Sequence, residues 1–454
     1  MPHYLSFAAR RTLVLLAALL APSLAHAQQD TTASTDSLAR TVGRLQRELA
    51  EVRAEAARQN ARLMELDERS TPSSVPGKGG SDSARRTLAS TQGIYGKPFV
   101  KRFGSGTAVG GYVDFEYTNA IDAHTSVFDQ RRLIPFIFSE ITDRLHFGTE
   151  IEFEHAAKIE VDGGQAEGAG EIKVEFATLD YAIHERFNVR GGLLLSPLGR
   201  FNLVHDSPVN DLTDRPLVDL DILPSTFSEP GVGVFGTFYP SARSLLSYEL
   251  YLVNGFTSGI VTAQGVRVRK GVGLSETDNN FGQSVVGRVA LSPFLGLEVG
   301  ASMHQGRYAS ADAVFSGTER LTIAALDATW QRGPLELLGE YGRVKADLPA
   351  AVVLAGADGE QQGYYVQANY HFGHGLVPPK ASSVFTAVAR WDEVDFARNA
   401  TGDLAQRFTT GLNWRPVEDA ALKADFQWNW RTAAGSSNRG PADRRVRVSM
   451  ASYF

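Results

Sequence analysis

Apolar and polar side chains alternate along the last residues of the chain. On an extended strand over 445–454, one face would carry Val446, Val448, Met450 and Phe454. The other face would carry Arg445 and Arg447, because side chains in a strand point to opposite faces in turn. An apolar face, a charged face and a terminal aromatic residue are typical of the closing strand of an outer-membrane β-barrel. The last strand of a soluble antiparallel sheet would alternate in the same way.

The same alternation recurs from about residue 108 onward, interrupted by short turns and longer polar loops that follow each other in strict turn. The pattern predicts sixteen strands, at 108–118, 128–140, 143–156, 170–183, 186–195, 231–240, 244–256, 280–292, 295–305, 320–331, 334–346, 361–373, 383–396, 405–415, 419–431 and 443–454. An even strand number with short turns at one end and long loops at the other is the pattern of an outer-membrane barrel. We therefore predict an all-β fold over residues 101–454, a 16-stranded antiparallel transmembrane β-barrel.

The fourth predicted strand changes phase along its length. Ile172, Val174 and Phe176 share one face, whereas Leu179 and Tyr181 share the other. A β-bulge would produce such a change, and so would a contact with another subunit.

The N-terminus has the pattern of a secretory signal over residues 1–27. Arg10-Arg11 form the positive segment, residues 12–21 form a short apolar core, and Ala25-His26-Ala27 matches a cleavage site. This core is shorter than the roughly 20 residues that a membrane-spanning helix needs, and no later segment is long enough. The chain contains no cysteine, which excludes disulfides, lipid attachment at a cysteine and thiol chemistry.

Residues 35–69 carry an unbroken heptad pattern. The a and d positions are Leu38, Val42, Leu45, Leu49, Val52, Ala56, Gln59, Leu63 and Leu66. This pattern predicts an N-terminal α-helical coiled coil in the periplasm that joins several copies of the chain. A trimer is expected, although the a and d residues do not by themselves choose between dimer and trimer, and one amphipathic helix docked on its own protein is the alternative. Residues 70–100 have the composition of a flexible Pro/Gly/Ser linker.

The third long loop, residues 196–230, is by far the longest and is expected to fold into the lumen. It contains six acidic residues against two basic ones. Candidate constriction residues on this loop are Arg200, Asp206, Asp211, Asp214, Asp219 and Asp221. Candidate wall residues that face them are Arg390, Arg407, Arg445 and Arg447. An acidic loop opposite a basic wall would sort solutes by charge, whereas a solvated loop with Asp caps and turns is the plainer alternative.

Two further expectations concern selectivity and assembly. Loop acids in a narrow passage act at short range, so we expect a pore that prefers cations weakly or is nearly unselective. Phe454 is expected to serve assembly, because it ends the closing strand at the lipid interface and would otherwise leave a poorly anchored sheet edge. The net charge of −6 and the hydrophobic content of 43% fit a barrel with a wet interior, since its lipid face uses every second residue.

Four stretches carry a resemblance to a known family. They are Ala177-Thr178-Leu179-Asp180-Tyr181, Phe187–Arg200, Glu229–Gly236 and Tyr251–Phe256. They resemble the phosphate-selective porin O and P family of Gram-negative outer membranes, as a divergent branch with an N-terminal coiled coil, over most of residues 100–454. The resemblance implies a sixteen-stranded trimeric barrel, passive transport of small solutes and phosphate binding by lumen arginines. Arg200, in Pro197-Leu198-Gly199-Arg200, is the residue it carries over; the acidic loop departs from the family pattern.

The sequence contains no recognisable catalytic, phosphate-loop, dinucleotide or metal motif. We therefore expect an outer-membrane porin rather than an enzyme, with no cofactor, no metal and no nucleic-acid partner. Expected partners are outer-membrane lipid, further copies of the chain, the barrel assembly machinery and small hydrophilic solutes, with phosphate or other anions suggested by the resemblance. Two alternatives stay open: a tether between outer membrane and cell wall through the coiled coil, and a barrel hydrolase that brings a Ser/His pair together.

Overall fold

The structure, a computed structural model, describes residues 101–103, 106–155, 160–162, 165–167, 170–263, 265–272, 282–354, 356–378 and 383–454. These residues fall in the compact unit Gly80–Phe454. The predicted signal, coiled coil and linker all lie outside the described residues.

Sixteen long strands of the described residues form one antiparallel sheet. In chain order they are β1 (Thr107–Ala120), β2 (Thr125–Glu140), β3 (Leu145–Glu154), β4 (Glu171–His184), β5 (Phe187–Leu195), β6 (Ser228–Ser241), β7 (Ser244–Val253), β8 (Ser284–Phe294), β9 (Leu297–Arg307), β10 (Arg320–Arg332), β11 (Leu335–Ala346), β12 (Glu360–Phe372), β13 (Val384–Asp395), β14 (Leu404–Val417), β15 (Ala420–Thr432) and β16 (Asp443–Tyr453). Each strand pairs with its chain neighbours, and β16 pairs with β1, so the sheet closes. The predicted sixteen-stranded antiparallel barrel is confirmed.

The connections differ at the two ends of the barrel. One end, the short-turn end, carries residues 141–144, 185–186, 242–243, 295–296, 333–334, 373–383 and 418–419. The other, the long-loop end, carries residues 121–124, 155–170, 196–227, 254–283, 308–319, 347–359, 396–403 and 433–442. This is the predicted alternation of short turns and longer loops.

Several short elements accompany the wall strands. They are the strands Lys101–Phe103, Glu160–Asp162, Gln165–Glu167, Val261–Thr262 and Gly265–Val266, the helices α1 (Leu217–Asp221) and α2 (Ala350–Leu354), and the 3₁₀ turns Phe201–Leu203, Ser258–Ile260 and Val268–Gly271. Among the described residues, no helix is long and apolar enough to cross a membrane.

The outward faces of the strands form a belt of exposed apolar side chains. On β10, Ile323 and Ala325 are buried inside the barrel, whereas Leu326 is 59% exposed on the outside. The same outward face on other strands carries Phe115, Leu133, Leu179, Leu250, Val289, Met303, Leu337, Val366, Leu412, Leu422, Val448 and Met450, all exposed. A belt of this extent is unstable in water and matches the hydrocarbon region of a bilayer. The barrel is therefore a membrane-spanning one.

A β-bulge at Glu175 resolves the phase change on β4. The register with β3 shifts between Glu150 and Ile151, because Glu150 pairs with Phe176 whereas Ile151 pairs with Val174. Glu175 and Phe176 are consequently both buried. The apolar residues on either side of the bulge then share the outer face: Ile172, Val174, Leu179 and Tyr181 are all exposed. A bulge, one of the two predicted explanations, accounts for the pattern.

Both ends of β16 are fixed to β1 and its turn. The Phe454 N–H donates to the carbonyl oxygen of Gly111 at 2.9 Å, and the Phe454 ring covers Gly111 so closely that a Cβ there would lie 2.6 Å from it. At the other end, the Arg444 guanidinium binds the Asp122 carboxylate at 2.7 Å. The hydrogen bonds from Arg444 lower the pKa of Asp122 to about 2.

Deleting Phe454 should lower the fraction of folded, heat-modifiable barrel in outer membranes. The deletion removes the hydrogen bond to Gly111 and the aromatic end of the closing strand, which leaves the seam frayed. Electrophoresis of heated and unheated membranes measures this fraction. Phe294→Ala is the matched control, because Phe294 ends β8 away from the seam and has the same 49% exposure as Phe454. Equal yields for the deletion and the wild type would contradict a role of Phe454 in assembly.

Candidate functional site in the barrel lumen

Residues 196–227, which connect β5 to β6 and are called the lumen loop below, fold into the barrel. The Gly199 N–H donates to Ser302 Oγ of β9 at 2.8 Å. The Thr213 N–H donates to Asp425 Oδ2 of β15 at 2.6 Å. Irregular backbone at membrane depth needs such partners, because no bulk water satisfies its polar groups. The inward polar side chains of the wall supply them.

Gly199 lets the lumen loop approach β11. Its φ of +76° lies in the left-handed region, and a Cβ at this position would meet Glu340 Oε1 at 1.8 Å. Glu340 Oε2 accepts a hydrogen bond from the Phe201 N–H at 3.1 Å, and Leu198 is buried. The family-like Pro197-Leu198-Gly199-Arg200 stretch is therefore the point at which the loop docks on the wall.

One side of the lumen is filled by an apolar core, called the apolar plug below. The lumen loop contributes Leu198, Val218, Ile222, Leu223 and Phe227, and residues 254–272 contribute Phe256, Ile260, Val266 and Val268. The wall contributes inward apolar residues of β7–β14, among them Val286, Ile323, Val344 and Val394. Water cannot pass through a core packed in this way.

Polar contacts join the two loops of the apolar plug to each other and to the wall. Arg269 Nε donates to the carbonyl oxygen of Leu220 at 2.8 Å. Gln361 Nε2 of β12 donates to the carbonyl oxygen of Val266 at 2.8 Å. The rings of Phe227 and Phe256 stack with centroids 4.7 Å apart. The two loops thus form one unit inside the barrel.

A charged cavity of about 1200 Å³ lies on the other side of the lumen. Its acidic lining residues are Glu116, Asp129, Glu154, Glu171, Glu175, Asp214 and Asp443. Its basic lining residues are Arg131, Arg132, Lys173, Arg215, Arg269, Arg407, Arg431, Arg445 and Arg447. Nine cationic groups therefore stand against seven anionic ones.

Asp214 of the lumen loop ties the cavity lining to the basic wall. Its carboxylate lies 2.8 Å from Arg447 Nη1 and 3.5 Å from Arg407 Nη1, and Gln427 Nε2 donates to it at 2.9 Å. Arg390 Nη2 donates to the backbone carbonyl of Asp214 at 3.0 Å. Predicted site residues Asp214, Arg390, Arg407 and Arg447 thus meet in one cluster. They are in direct contact rather than facing each other across a gap, which corrects the expected geometry.

The other predicted loop acids also bond to the wall or are buried. Asp206 Oδ2 accepts a hydrogen bond from Tyr453 Oη at 2.7 Å. Asp211 Oδ1 lies 3.2 Å from Arg415 Nη2. Asp219 is buried, and Asp221 is partly buried. The loop acids therefore do not line an open gap as a row of free charges.

The two remaining predicted arginines lie apart from this cluster. Arg445 pairs with Asp443 of its own strand at 2.6 Å. Arg200 Nε lies 3.9 Å from Glu298 Oε1 of β9, and both side chains are 36% exposed. The Arg200 side chain is therefore partly exposed to water. It does not line the charged cavity, whereas Arg445 does.

Closure of the barrel explains why acids and bases adjoin rather than oppose each other. The early strands carry inward acids and the late strands carry inward arginines, but β1 and β16 are neighbours in the closed sheet. Arg447 Nη1 accordingly lies 3.1 Å from Glu116 Oε2 across the seam. Because these acids and arginines lie close together at the seam, part of their opposite charges cancels.

Three lumen histidines pair with carboxylates. His205 of the lumen loop contacts Glu175 at the β4 bulge. His304 Nε2 lies 3.2 Å from Glu229 Oε1, and His371 lies beside Glu336. The described residues contain no group of three or more His, Asp or Glu side chains placed to hold a metal ion.

The apolar plug was missed at the sequence level, although a signal for it exists. Leu321, Ile323 and Ala325 face inward on β10, while Ala324 and Leu326 face outward. Residues 321–326 are therefore apolar on both faces apart from one threonine, which is the pattern of a strand buried on both sides. A wet lumen wall would instead alternate with polar residues.

Replacing Ile222 with alanine should loosen the apolar plug. Ile222 is fully buried, and such a truncation costs about 2–5 kcal/mol in the free energy of unfolding. Denaturant unfolding followed by tryptophan fluorescence measures this loss. Val209→Ala is the matched control on the same loop, because Val209 is 46% exposed. Equal unfolding midpoints for the two variants would contradict a packed plug.

Comparison with known proteins shows one relative and a common fold. No protein-family model matches the chain. An uncharacterized protein of Aquifex aeolicus (strain VF5) is 30% identical over 342 residues, which cover 71% of this chain and 75% of that protein. Salmonella typhi OmpF, solved in complex with daunomycin, has a TM-score of 0.52 at 13% identity and covers 78% of this chain and 100% of its own. The outer-membrane channel DcaP of Acinetobacter baumannii has a TM-score of 0.47 at 14% identity, with 78% and 99% covered. The chain therefore belongs to the family of the Aquifex aeolicus protein, and its barrel has the fold of bacterial outer-membrane porins.

Proposed function

We propose that the protein is an outer-membrane channel for passive diffusion of small hydrophilic solutes, with its long-loop end facing the cell exterior. The observation that carries this proposal is the charged cavity of about 1200 Å³ inside a barrel with an apolar outer belt. Charged side chains at membrane depth cost free energy, so a water-filled, charged interior supports a role in the passage of polar solutes. The sequence resemblance to the phosphate-selective porins O and P supports the same function.

The route for solutes is off-centre. The apolar plug blocks the side of β7–β14, so solutes pass along the charged side, beside Asp214, Arg407 and Arg447. On the far side of the lumen loop, Arg200 and Glu298 are again exposed to water. We assign the narrowest part of the channel to the lumen loop, which lies between these two water-exposed regions. We expect this constriction to admit small solutes and to exclude large ones.

The charge balance supports a channel with little selectivity. Asp211 and Asp214 each pair with arginines, so the loop contributes less negative charge than its composition suggests. Nine cationic and seven anionic groups in the cavity nearly cancel. We propose a pore that hardly discriminates between small anions and cations, and that has no dedicated phosphate site.

The coiled coil completes the proposed assembly. Residues 35–69 would join three copies of the chain on the periplasmic side, because an unbroken heptad seam needs partners to cover it. Both ends of the barrel sheet, at Thr107 and Tyr453, lie at the short-turn end, which is the periplasmic end in the proposed orientation.

Replacing Asp214 with asparagine should move the reversal potential toward anion selectivity. The change removes one negative charge and leaves Arg407 and Arg447 without their loop carboxylate. Planar-bilayer recordings in a salt gradient measure the shift, and high salt should reduce it, because charges are screened within about 10 Å at 0.1 M.

Asp312→Asn is the matched control for this measurement. Asp312 lies in the 308–319 loop, where its side chain accepts hydrogen bonds from Val314 and Phe315, and it does not line the cavity. It should leave the reversal potential unchanged. A wild-type protein that inserts but passes no ions would contradict the channel itself, and equal shifts in both variants would contradict the role of Asp214.

A further inference from the structure

The outward face at the long-loop end of β9–β11 carries a cluster of cations, called the rim patch below. It consists of Arg307, Arg320, Arg343 and Lys345. On each of these strands inward positions are buried in alternation with outward positions, and all four residues fall in the outward phase. The rim patch therefore lies outside the barrel, separate from the lumen and its charged cavity.

Arg307 and Arg320 are direct cross-strand partners. They form the last residue pair of the β9–β10 ladder. Like charges directly opposite each other in a sheet repel, and the repulsion destabilises the pair. Among the described residues, neither guanidinium has a carboxylate within ion-pair distance. Within the described part of the chain, these two cations therefore lie together without an acid that compensates them.

The nearby acidic groups do not cancel the rim patch. Glu360 binds Arg343 at 2.7 Å and is shared with Arg398. Asp347 Oδ2 accepts a hydrogen bond from the backbone N–H of Arg320 at 3.3 Å. The Glu319 carboxylate accepts hydrogen bonds from the backbone of residues 316–318. Four cations against Glu319, Asp347 and Glu360 leave an excess of one positive charge.

An apolar surface lies directly below the rim patch on the same strands. Met303 of β9 is 51% exposed and Leu326 of β10 is 59% exposed, and Tyr341 of β11 faces the same way. Gln305 Nε2 and Thr322 Oγ1, bonded at 3.2 Å, lie between the apolar surface and the Arg307–Arg320 pair. On β9 and β10 the order from the membrane centre outward is therefore apolar, polar, cationic. On β11, Lys345 pairs with Thr322 and Arg343 pairs with Ala324, so these two cations flank the polar and apolar layers.

This order differs around the rest of the rim. On β13 and β14 the outward residues at the same level are Glu393 and Gln406, which bond to each other at 2.7 Å. At the seam, Arg444 is neutralised by Asp122. A single outward cation such as Arg439, which lies over the Trp430 ring, occurs elsewhere, whereas β9–β11 carry four outward cations together.

We propose that the rim patch binds the phosphorylated headgroup of a glycolipid in the outer leaflet of the membrane. Guanidinium groups bind phosphate in a bidentate manner, and a phosphate between Arg307 and Arg320 would relieve their repulsion. The acyl chains would lie against Met303 and Leu326. The inference uses the proposed outer-membrane location, but it does not depend on solute flux through the lumen.

The test is binding of diphosphorylated lipid A to the purified full-length protein in detergent, measured by native mass spectrometry. The double variant Arg307→Gln/Arg320→Gln should bind lipid A about tenfold more weakly, because it loses two charge-assisted contacts with phosphate that water partly screens at this exposed position. Excess inorganic phosphate should not displace the lipid from the wild type, because it lacks the apolar contact.

The matched control is Arg243→Gln/Arg332→Gln, which removes the same charge from two exposed positions at the opposite, short-turn end of the barrel. It should bind lipid A like the wild type. Heat-modifiable mobility verifies that each variant is folded, and the single variant Lys345→Gln, at an exposed position, should weaken binding in the same direction. Unchanged lipid binding in the patch variants, or equal loss in the control, would overturn the proposal. A change of oligomeric state with unchanged lipid binding would overturn it as well and would assign the rim patch to subunit contact.

The lipid test and the channel test fail separately. A protein that binds lipid A through the rim patch but conducts no ions would leave the inference standing and refute the proposed channel. A protein that conducts ions, but whose rim-patch variants bind lipid A like the wild type, would support the proposed channel and refute the lipid inference.

Discussion

Closure of the sheet is the constraint on which the rest of this structure depends. Every backbone N–H and C=O group inside a bilayer needs a partner from the protein, so a strand edge cannot remain open there. Pairing of β16 with β1 satisfies the last edge, and Phe454 and the Arg444–Asp122 pair hold its two ends. Closure also decides the electrostatics, because it makes the acid-bearing β1 and the arginine-bearing β16 neighbours.

A sixteen-stranded barrel encloses more space than the side chains of its wall can fill. Here two loops occupy part of that space. The lumen loop and residues 254–272 bury apolar side chains against inward aliphatic residues of the wall, which replaces water by a packed core on one side. The hydrophobic effect that keeps the outer belt in lipid therefore also organises half of the interior. The charged half of the interior keeps an open cavity.

Charged side chains at membrane depth cost free energy unless they are paired and hydrogen-bonded. The wall meets this requirement with bidentate pairs, such as Arg190 with Asp180 at 2.6 Å, both buried. The lumen loop uses the same chemistry when Asp214 binds Arg407 and Arg447. One set of ion pairs thus holds the loop in place and sets the charge that a passing solute would meet.

The sequence by itself determined the local features: the sixteen strands, their order and antiparallel sense, the short-turn and long-loop ends, and the phase change on β4. These follow from period-two alternation and turn residues, which are read over a few neighbouring positions. The sequence also identified the residues of the candidate site, but it did not show which of them contact each other. Asp206 bonds to Tyr453, 247 positions away, and Glu116 meets Arg447 only because the barrel closes. The apolar plug likewise joins two loops to distant strands. Only the tertiary structure decided these contacts, because alternation shows which face a side chain takes and not which distant residue stands opposite it.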